Sequence, residues 1–162
     1  MTEPIFDIPL LLVYDCDGVL TDNRVLLDET GKESVFFHRG DGYGIRMLKE
    51  LGVTQVILST EVNPVVRKRA EKLKIPVIHG VEKKEKQLDE YCRVHNISFD
   101  QVMYIGNDLN DLEAMKLVGI RGCPADAEPE IKEICQWIST QNGGQGVIRE
   151  LYRVLSRKRG IY

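Results

Sequence analysis

The stretch that decides the fold runs Leu10-Leu11-Leu12-Val13-Tyr14-Asp15-Cys16-Asp17-Gly18-Val19. The apolar residues from Leu10 to Tyr14 are few enough to form one buried strand of a parallel sheet. Asp15 and Asp17 follow directly and lead into a glycine turn. Because ligands bind at the carboxyl ends of strands in open α/β sheets, the run predicts two carboxylates that project together into an active site.

This pair of carboxylates also predicts a cation. Two like charges repel unless a cation lies between them or one carboxylate stays protonated. A hard ion that prefers oxygen ligands, such as Mg²⁺, suits two Asp side chains best. An ordinary acidic turn is the simpler alternative, because Asp and Gly are both common in loops. A calcium loop does not fit, because Val19 and Leu26 stand where that loop needs oxygen ligands.

Composition limits the class of protein. The chain has 162 residues, 43% of them hydrophobic, which predicts one domain over residues 1–162 with a core of its own. A net charge of -3 gives no basic surface for nucleic acid. The four cysteines lack the Cys-x-x-Cys spacing of a zinc site or redox pair, and residues 8–13 are too short and proline-interrupted for a leader or a membrane span. We therefore expect a cytoplasmic protein without a membrane or nucleic-acid partner.

Strand and helix patterns alternate along the rest of the chain. Strands are predicted over 55–58, 76–78, 101–105, 118–120 and 136–138, and helices over 41–51, 64–74, 82–94, up to 116, and 145–157. Residues 24–28 and 33–37 flank a glycine turn and predict a β-hairpin that could overhang the carboxylates. Repeated βα units imply an α/β protein with a doubly wound, mostly parallel sheet.

Polar residues follow four of these strands, and the carboxyl ends of parallel strands meet at one edge of a sheet. They are Asp15 and Asp17 after the first strand, Ser59 after the second, Lys84 after the third, and Asn107, Asp108 and Asp111 after the fourth. This set, in this order, resembles the haloacid dehalogenase superfamily over residues 11–115. The resemblance implies a Rossmann-like fold and a phosphoryl-transfer site.

By this resemblance, Asp15 is the nucleophile that forms an aspartyl-phosphate, and Asp17 is the general acid and base. Mg²⁺ would be held by Asp15, the main-chain carbonyl of Asp17 and the acidic loop at Asn107 and Asp108. Relatives commonly have Asp where this chain has Asn107. An amide oxygen carries less charge, so we expect weaker Mg²⁺ binding or a compensating role for Asp108.

The same resemblance gives Ser59 and Lys84 the role of holding phosphoryl oxygens, with Asp111 orienting the Lys84 ammonium. Ser59-Thr60 stands where Thr-Gly is common, so the hydroxyl is kept on a stiffer backbone. Lys84 lies in the run Glu82-Lys83-Lys84-Glu85-Lys86, for which a solvated helix face is the alternative interpretation.

The chain leaves no room for a cap domain, since only the hairpin at about 24–37 separates the first strand from the first helix. In this it resembles the capless phosphatases of 3-deoxy-octulosonate 8-phosphate and 3-deoxy-nonulosonate 9-phosphate. That branch implies a homotetramer in which neighbouring hairpins and a glycine-rich tail, here about 142–162, close each site around a phosphorylated sugar acid. Ser59-Thr60-Glu61 and the basic helix after it look most like nonulosonate members and the carboxyl-terminal domain of acylneuraminate cytidylyltransferases. The nine-carbon 9-phosphate is therefore the first expected substrate and the eight-carbon 8-phosphate the next.

The resemblance further implies that Glu61, Arg69 and Lys72 act together in recognising the substrate. Arg69 and Lys72 are three residues apart and share a helix face that could meet an anionic sugar. A solvated basic face is the alternative. Arg39 and Asp41 are further candidates to line the pocket, although Asp41 could instead cap its own helix.

Two hypotheses from other classes compete. Asn107 and Ser59-Thr60 favour a weakly active or non-catalytic oligomerisation domain associated with an acylneuraminate cytidylyltransferase, whereas the intact Asp15, Asp17 and Lys84 favour catalysis. A phospho-accepting receiver domain fits less well, because such domains pair adjacent acids and place the acceptor on a later strand.

Overall fold

The computed structural model describes residues 6–161. Its strands are β1 (Leu11–Tyr14), β2 (Leu26–Leu27), β3 (Glu33–Ser34), β4 (Thr54–Leu58), β5 (Val77–Ile78), β6 (Val102–Ile105), β7 (Ile120–Cys123) and β8 (Trp137–Ile138). Its α-helices are α1 (Arg39–Glu50), α2 (Pro64–Leu73), α3 (Lys84–His95), α4 (Leu112–Leu117), α5 (Pro129–Ile134) and α6 (Val147–Lys158). Short 3-10 turns at Phe99–Gln101 and Leu109–Asp111 precede β6 and α4.

Six parallel strands form the central sheet in the order β5-β4-β1-β6-β7-β8. β1 lies in its middle, with Leu11 beside Thr54 of β4 on one side and beside Val102 of β6 on the other. Every residue of β1 is fully buried, which explains its unbroken apolar run, since a central parallel strand is covered on both faces. The predicted doubly wound α/β fold is confirmed.

Helices cover both faces of the sheet. Leu12 and Tyr14 of β1 face a cluster that includes residues of α1, α2 and α6, whereas Leu11 and Val13 face a cluster that includes residues of α3, α4 and α5. α2 begins as predicted, with the Asn63 side chain accepting a hydrogen bond from a backbone N–H of its first turn. None of the helices within residues 6–161 combines the length and the apolar character needed to cross a membrane.

The hairpin is shorter than predicted. Only two residue pairs, Leu26 with Ser34 and Leu27 with Glu33, form its ladder. It does not join the central sheet, and an isolated two-stranded hairpin has little to stabilise long strands. The Asp28 Oδ1 atom accepts hydrogen bonds from the N–H groups of Thr30 and Lys32, at 2.9 and 3.0 Å, and so closes the turn.

The structure also differs from the sequence prediction at β7, α5 and α1. β7 begins at Ile120 rather than at residue 118, because Val118 still ends α4 and the Gly119 N–H bonds to the carbonyl of Phe99. The six-residue α5 was not predicted, since it is too short to show a helical period. α1 begins at Arg39, so Asp41 lies inside the helix and His38 takes the N-cap position.

Candidate active site

The polar strand ends meet at the carboxyl edge of the sheet, around a cavity of about 160 Å³. Its lining comes from the three segments that follow β1, β4 and β6 and consists of Asp15, Asp17, Asn23, Ser59, Thr60, Glu61, Asn107, Asp108 and Asn110. Lys84 and Asp111 are buried and in contact with Asp15 or with its neighbours. The structure thus brings together the residues that follow the four strands.

Lys84 is buried between two carboxylates. Its Nζ atom lies 2.8 Å from Oδ1 of Asp15 and 2.7 Å from Oδ1 of Asp111. Burial by itself would lower the pKa of Lys84, but the charges and hydrogen bonds of the two carboxylates outweigh it and raise this pKa. Lys84 is only 1% exposed, whereas Lys83 and Lys86 are exposed, so the solvated-face interpretation does not hold for Lys84.

Each carboxylate oxygen of Asp111 accepts two hydrogen bonds. Its Oδ1 accepts from Lys84 Nζ and from the Tyr104 hydroxyl at 2.8 Å. Its Oδ2 accepts from the backbone N–H groups of Asn107 and Asp108, at 2.9 and 3.4 Å. Asp111 therefore orients the ammonium and the loop after β6, and its oxygens have no capacity left for a metal ion.

Asp15 is held on one side. Its Oδ1 accepts from the Cys16 N–H at 2.8 Å and from Lys84 Nζ, which leaves Oδ2 for the cavity. Burial raises the pKa of Asp15, the charge of Asp111 raises it further, and Lys84 only partly offsets them, so this pKa is well above that of an ordinary Asp. Asp15 and Asp111 share one buried ammonium and Asp17 lies at the same cavity, so the ionised site carries surplus negative charge. A bound divalent cation would relieve that excess.

Asp17 is oriented by Thr21, a residue that the sequence reasoning did not identify. The buried Thr21 Oγ1 accepts from the N–H groups of Gly18 and Asn23, both at 3.2 Å, and donates to Asp17 Oδ1 at 3.2 Å. With both lone pairs engaged, the single hydroxyl hydrogen is directed at Asp17. Burial raises the pKa of Asp17, which favours the protonated form that a general acid needs. A hydroxyl four residues after an acid in a glycine turn is the pattern that could have indicated this contact.

The side chains fit a magnesium ion. The Asn107 Oδ1 atom is buried and has no hydrogen-bond partner among the described residues, which leaves an oxygen ligand available. The Asn107 amide packs against Gly18, where φ is +86° and a Cβ atom would lie 2.1 Å from Asn107 Nδ2. Within residues 6–161 no group of three or more His, Cys, Asp or Glu side chains is placed to hold a metal. Asp15 Oδ2 and the Asn107 amide oxygen remain available to such an ion. The Asp108 Oδ1 atom accepts a hydrogen bond from the Leu109 N–H at 2.6 Å.

Ser59, directly after β4, supplies a hydroxyl group to the cavity. Ser59 is buried, and its Oγ accepts from the Glu61 N–H at 3.1 Å, which leaves the hydroxyl hydrogen to donate into the cavity. Glu61 also lines the cavity. Its Oε1 accepts from the N–H groups of Val62 and Asn63, both at 2.8 Å, so the carboxylate is fixed at the start of α2.

Within one chain, the other predicted recognition residues lie away from this cavity. Arg69 Nη2 donates to the His38 carbonyl at 3.3 Å, and the guanidinium lies 4.9 Å from the centre of the Phe37 ring. Lys72 and Arg39 are exposed and make no hydrogen bond or ion pair with residues 6–161. α2 leads away from the cavity, so Lys72 lies roughly 12 Å along the axis from the first turn. Within residues 6–161 of a single chain, no hydrogen bond or ion pair joins Glu61, Arg69 and Lys72, and their joint action stays a prediction.

Asp41 neither lines the cavity nor caps its own helix. It is buried, and its Oδ1 accepts from the N–H groups of Ile148 and Arg149, at 2.8 and 3.0 Å. These N–H groups belong to the first turn of α6, where backbone N–H groups have no partner within the helix. Asp41 therefore anchors the carboxyl-terminal helix to α1.

The glycine-rich loop before α6 supports the turn that carries Asp17. The Gly144 N–H donates to the Val19 carbonyl at 2.9 Å. A Cβ atom on Gly143 would lie 2.1 Å from the carbonyl oxygen of Gly18, so a side chain at that position would push the two loops apart.

A second cavity, of about 280 Å³, adjoins the first. Asp17, Asn23 and Glu61 line both cavities. The remaining lining comes from the hairpin and the start of α2 and consists of Arg24, Val25, Glu33, Val35, Asn63 and Val65. The site therefore has an inner part at the strand ends and an outer part beneath the hairpin.

Known proteins are similar to this chain in sequence and in fold. The model of the haloacid dehalogenase-like hydrolase family matches residues 50–151. The 3-deoxy-D-manno-octulosonate 8-phosphate phosphatase KdsC of Haemophilus influenzae is 31% identical over 150 residues, which cover 92% of this chain and 83% of that protein. A crystal structure of the 3-deoxy-D-manno-octulosonate 8-phosphate phosphatase from Moraxella catarrhalis, in complex with a magnesium ion, a phosphate ion and a KDO molecule, superposes with a TM-score of 0.89 at 28% identity, covering 93% of this chain and 87% of that one.

A longer protein is similar as well. The N-acylneuraminate cytidylyltransferase A of Danio rerio is 29% identical over 144 residues, which are 86% of this chain but 33% of that protein. The similarities bear out the resemblance deduced from the strand ends, and with it the prediction of an enzyme. The chain belongs to the haloacid dehalogenase-like hydrolase family, in the branch that contains the 3-deoxy-D-manno-octulosonate 8-phosphate phosphatases.

Proposed function

We propose that this protein is a Mg²⁺-dependent phosphatase that hydrolyses the terminal phosphate of a 3-deoxy-2-ulosonate sugar acid through an aspartyl-phosphate. The observation that carries the proposal is the buried Lys84 ammonium, 2.8 Å from Asp15 and 2.7 Å from Asp111. Buried charges are costly to a fold, and clusters of them beside a cavity are typical of sites that do chemistry. Two of the relatives named above, from Haemophilus influenzae and Moraxella catarrhalis, are phosphatases of such an ester.

In the first half of the reaction, Asp15 Oδ2 attacks phosphorus and the bond from phosphorus to the ester oxygen breaks. Asp17 donates its proton to the departing sugar oxygen, for which burial of the carboxyl prepares it. Lys84 and the Ser59 hydroxyl donate hydrogen bonds to phosphoryl oxygens, where negative charge must be held.

In the second half, Asp17 accepts a proton from a water molecule whose oxygen attacks phosphorus. The bond from Asp15 to phosphorus breaks, and inorganic phosphate leaves. Asp15, the main-chain carbonyl of Asp17 and Asn107, with Asp108 beside them, would hold the Mg²⁺. When bound, this ion supplies charge neutralisation to the phosphoryl group.

We also propose which sugar acid is the preferred substrate. Ser59-Thr60-Glu61 and the basic α2 resemble the nonulosonate members, so we place the nine-carbon 9-phosphate first and the eight-carbon 8-phosphate next. We further propose a cytoplasmic homotetramer. In such a tetramer, side chains of a neighbouring subunit would line the outer cavity. Arg69, Lys72 and Arg39 would then contact the substrate bound in a neighbouring subunit's site. The exposed apolar side chains of the hairpin, Val25, Leu26, Leu27 and Phe36, support this, since such patches mark interaction surfaces.

The decisive experiment is Asp15→Asn with Mg²⁺ and both sugar-acid phosphates. We expect phosphate release to fall at least roughly a thousandfold, because an amide cannot act as the nucleophile. Asp89→Asn, which changes an exposed aspartate of α3, is the matched control and should keep full activity. Equal phosphate release by wild type and Asp15→Asn would refute the proposal.

A second candidate function is an oligomerisation domain that acts with a cytidylyltransferase. The similarity to one third of the Danio rerio cytidylyltransferase favours it. It requires negligible turnover of the wild type on a broad panel of phosphate esters, together with tight binding to such a synthetase. Turnover that depends on Asp15 and Mg²⁺ would exclude it.

A further inference from the structure

We propose that Asn23 is a specificity-determining residue, which binds the sugar hydroxyl next to the phosphate ester. The inference rests on the proposed function and concerns the substrate specificity of the same site. Asn23 is one of three residues that line both the inner and the outer cavity, the others being Asp17 and Glu61. A substrate with its phosphate in the inner cavity must therefore pass Asn23.

The backbone fixes the position of this residue. Asn23 has a φ of +62°, in the left-handed region that few side chains adopt readily. Its N–H donates to Thr21 Oγ1 at 3.2 Å, within the same network that orients Asp17. The main chain of Asn23, from which the side chain projects, is thus fixed relative to the general acid.

The amide of Asn23 is available for a ligand. It makes no hydrogen bond with residues 6–161, whereas Asp17 is held by Thr21 and Glu61 by the start of α2. The other amide of the outer cavity, Asn63 Nδ2, donates to Glu33 at 3.1 Å, and Arg24 pairs with Asp22 at 2.6 Å. Of the three residues that line both cavities, Asn23 is the uncharged one.

The chemistry of the substrate matches this position. In a phosphorylated sugar acid the carbon next to the ester carbon carries a hydroxyl, which both donates and accepts hydrogen bonds. An amide offers both a donor and an acceptor, whereas the neighbouring carboxylates, when ionised, offer acceptors alone. Asn23 would therefore favour polyhydroxylated phosphate esters over esters that lack this hydroxyl.

The test is Asn23→Gly, because glycine tolerates the positive φ and removes the side chain that carries the amide. Activity is compared on p-nitrophenyl phosphate and on the hydroxylated sugar phosphate that the wild type hydrolyses best. We expect the ratio of kcat/KM for the sugar phosphate to that for p-nitrophenyl phosphate to fall roughly three- to tenfold, mainly through KM, as for one lost hydrogen bond. Asn96→Gly is the matched control: Asn96 also has a positive φ, +53°, but is exposed at the end of α3. That control should leave the ratio unchanged.

A second variant, Asn23→Asp, keeps the size of the side chain and adds a carboxylate beside Asp17 and Glu61. We expect the ratio to fall at least as far as with Asn23→Gly. An unchanged ratio in both variants, or an equal loss on both substrates, would overturn the inference while wild-type turnover leaves the proposed function standing. Absence of any phosphatase activity in the wild type would instead overturn the proposed function, and the inference with it.

Discussion

The inner and the outer parts of the site are built in different ways. In the inner part Lys84, Asp111 and Tyr104 are buried and hydrogen-bonded to one another. In the outer part the hairpin exposes Leu26 and Phe36, 66% and 75% respectively, and borders an open cavity. Buried charges must be paired to be tolerated, so one chain alone fixes the inner geometry. The outer part has no such requirement, and its apolar side chains stay exposed in a single chain.

The largest expected effect separates a buried lysine from an exposed one. Lys84→Met leaves Asp15 and Asp111 facing each other in the interior, which should lower the free energy of unfolding by about 3–5 kcal/mol. The adjacent Lys83→Met, on an exposed side chain, should change it by less than about 0.5 kcal/mol. Urea unfolding of both variants measures the difference. Equal effects would show that the inner part is not a buried ion-pair network.

The next effect concerns Mg²⁺ and pH. Because the pKa of Asp15 is raised on folding, the folded chain holds a proton that the unfolded chain releases near the ordinary Asp pKa of about 3.9. The stability of the metal-free protein should therefore fall as pH rises through the raised pKa. The proposed Mg²⁺ site needs the ionised carboxylate, so stabilisation by Mg²⁺ should grow over the same range and reach about 2.7 kcal/mol at a hundredfold excess over Kd.

Thermal melts with and without Mg²⁺, at about pH 5 and about pH 8, test this linkage. Phe36→Ser, which lies outside the inner part, should show the same pH-dependent shift as the wild type. A Mg²⁺ shift that is identical at both pH values would contradict a metal site built on Asp15.

A smaller effect contrasts two aspartates that each accept two backbone N–H groups. Asp41→Ala removes the buried acceptor for Ile148 and Arg149, which should cost about 1–2 kcal/mol of unfolding free energy. Asp28→Ala removes a similar acceptor in the exposed hairpin turn and should cost less than about 0.5 kcal/mol. Chemical unfolding compares the two. A larger loss for Asp28→Ala would mean that the hairpin, rather than the anchor of α6, holds the fold together.

The smallest expected effect on the folded chain comes from Phe36→Ser. Since Phe36 is largely exposed, the free energy of unfolding of a single chain should change by less than about 0.5 kcal/mol. If the hairpins contact neighbouring subunits in a tetramer, the same change should shift the particle to a smaller mass in light scattering. Val94→Ser, an equally exposed apolar residue on α3, is the control and should leave the mass unchanged. An unaltered mass for Phe36→Ser would argue against assembly through the hairpin.

The sequence by itself determined the sheet and the position of the acids. Burial on two faces makes β1 a continuous apolar run, and polar residues resume only where the central strands end, after β1, β4 and β6. The start of α2 was also readable, because Asn63 and Pro64 act within one turn of helix. Such features depend on neighbours in the chain, so the order of residues is enough to specify them.

Only the tertiary structure decided which polar residues are buried together. Lys83, Lys84 and Lys86 are alike as a sequence pattern, and the packing of α3 against α4 and the Leu109–Asp111 turn selects Lys84. Asp41 caps a helix that begins 106 positions later, and Arg69 lies over Phe37 rather than at the cavity. The physical reason is that a buried charge is tolerated only where a partner can reach it, and for these residues the partner comes from a distant part of the chain.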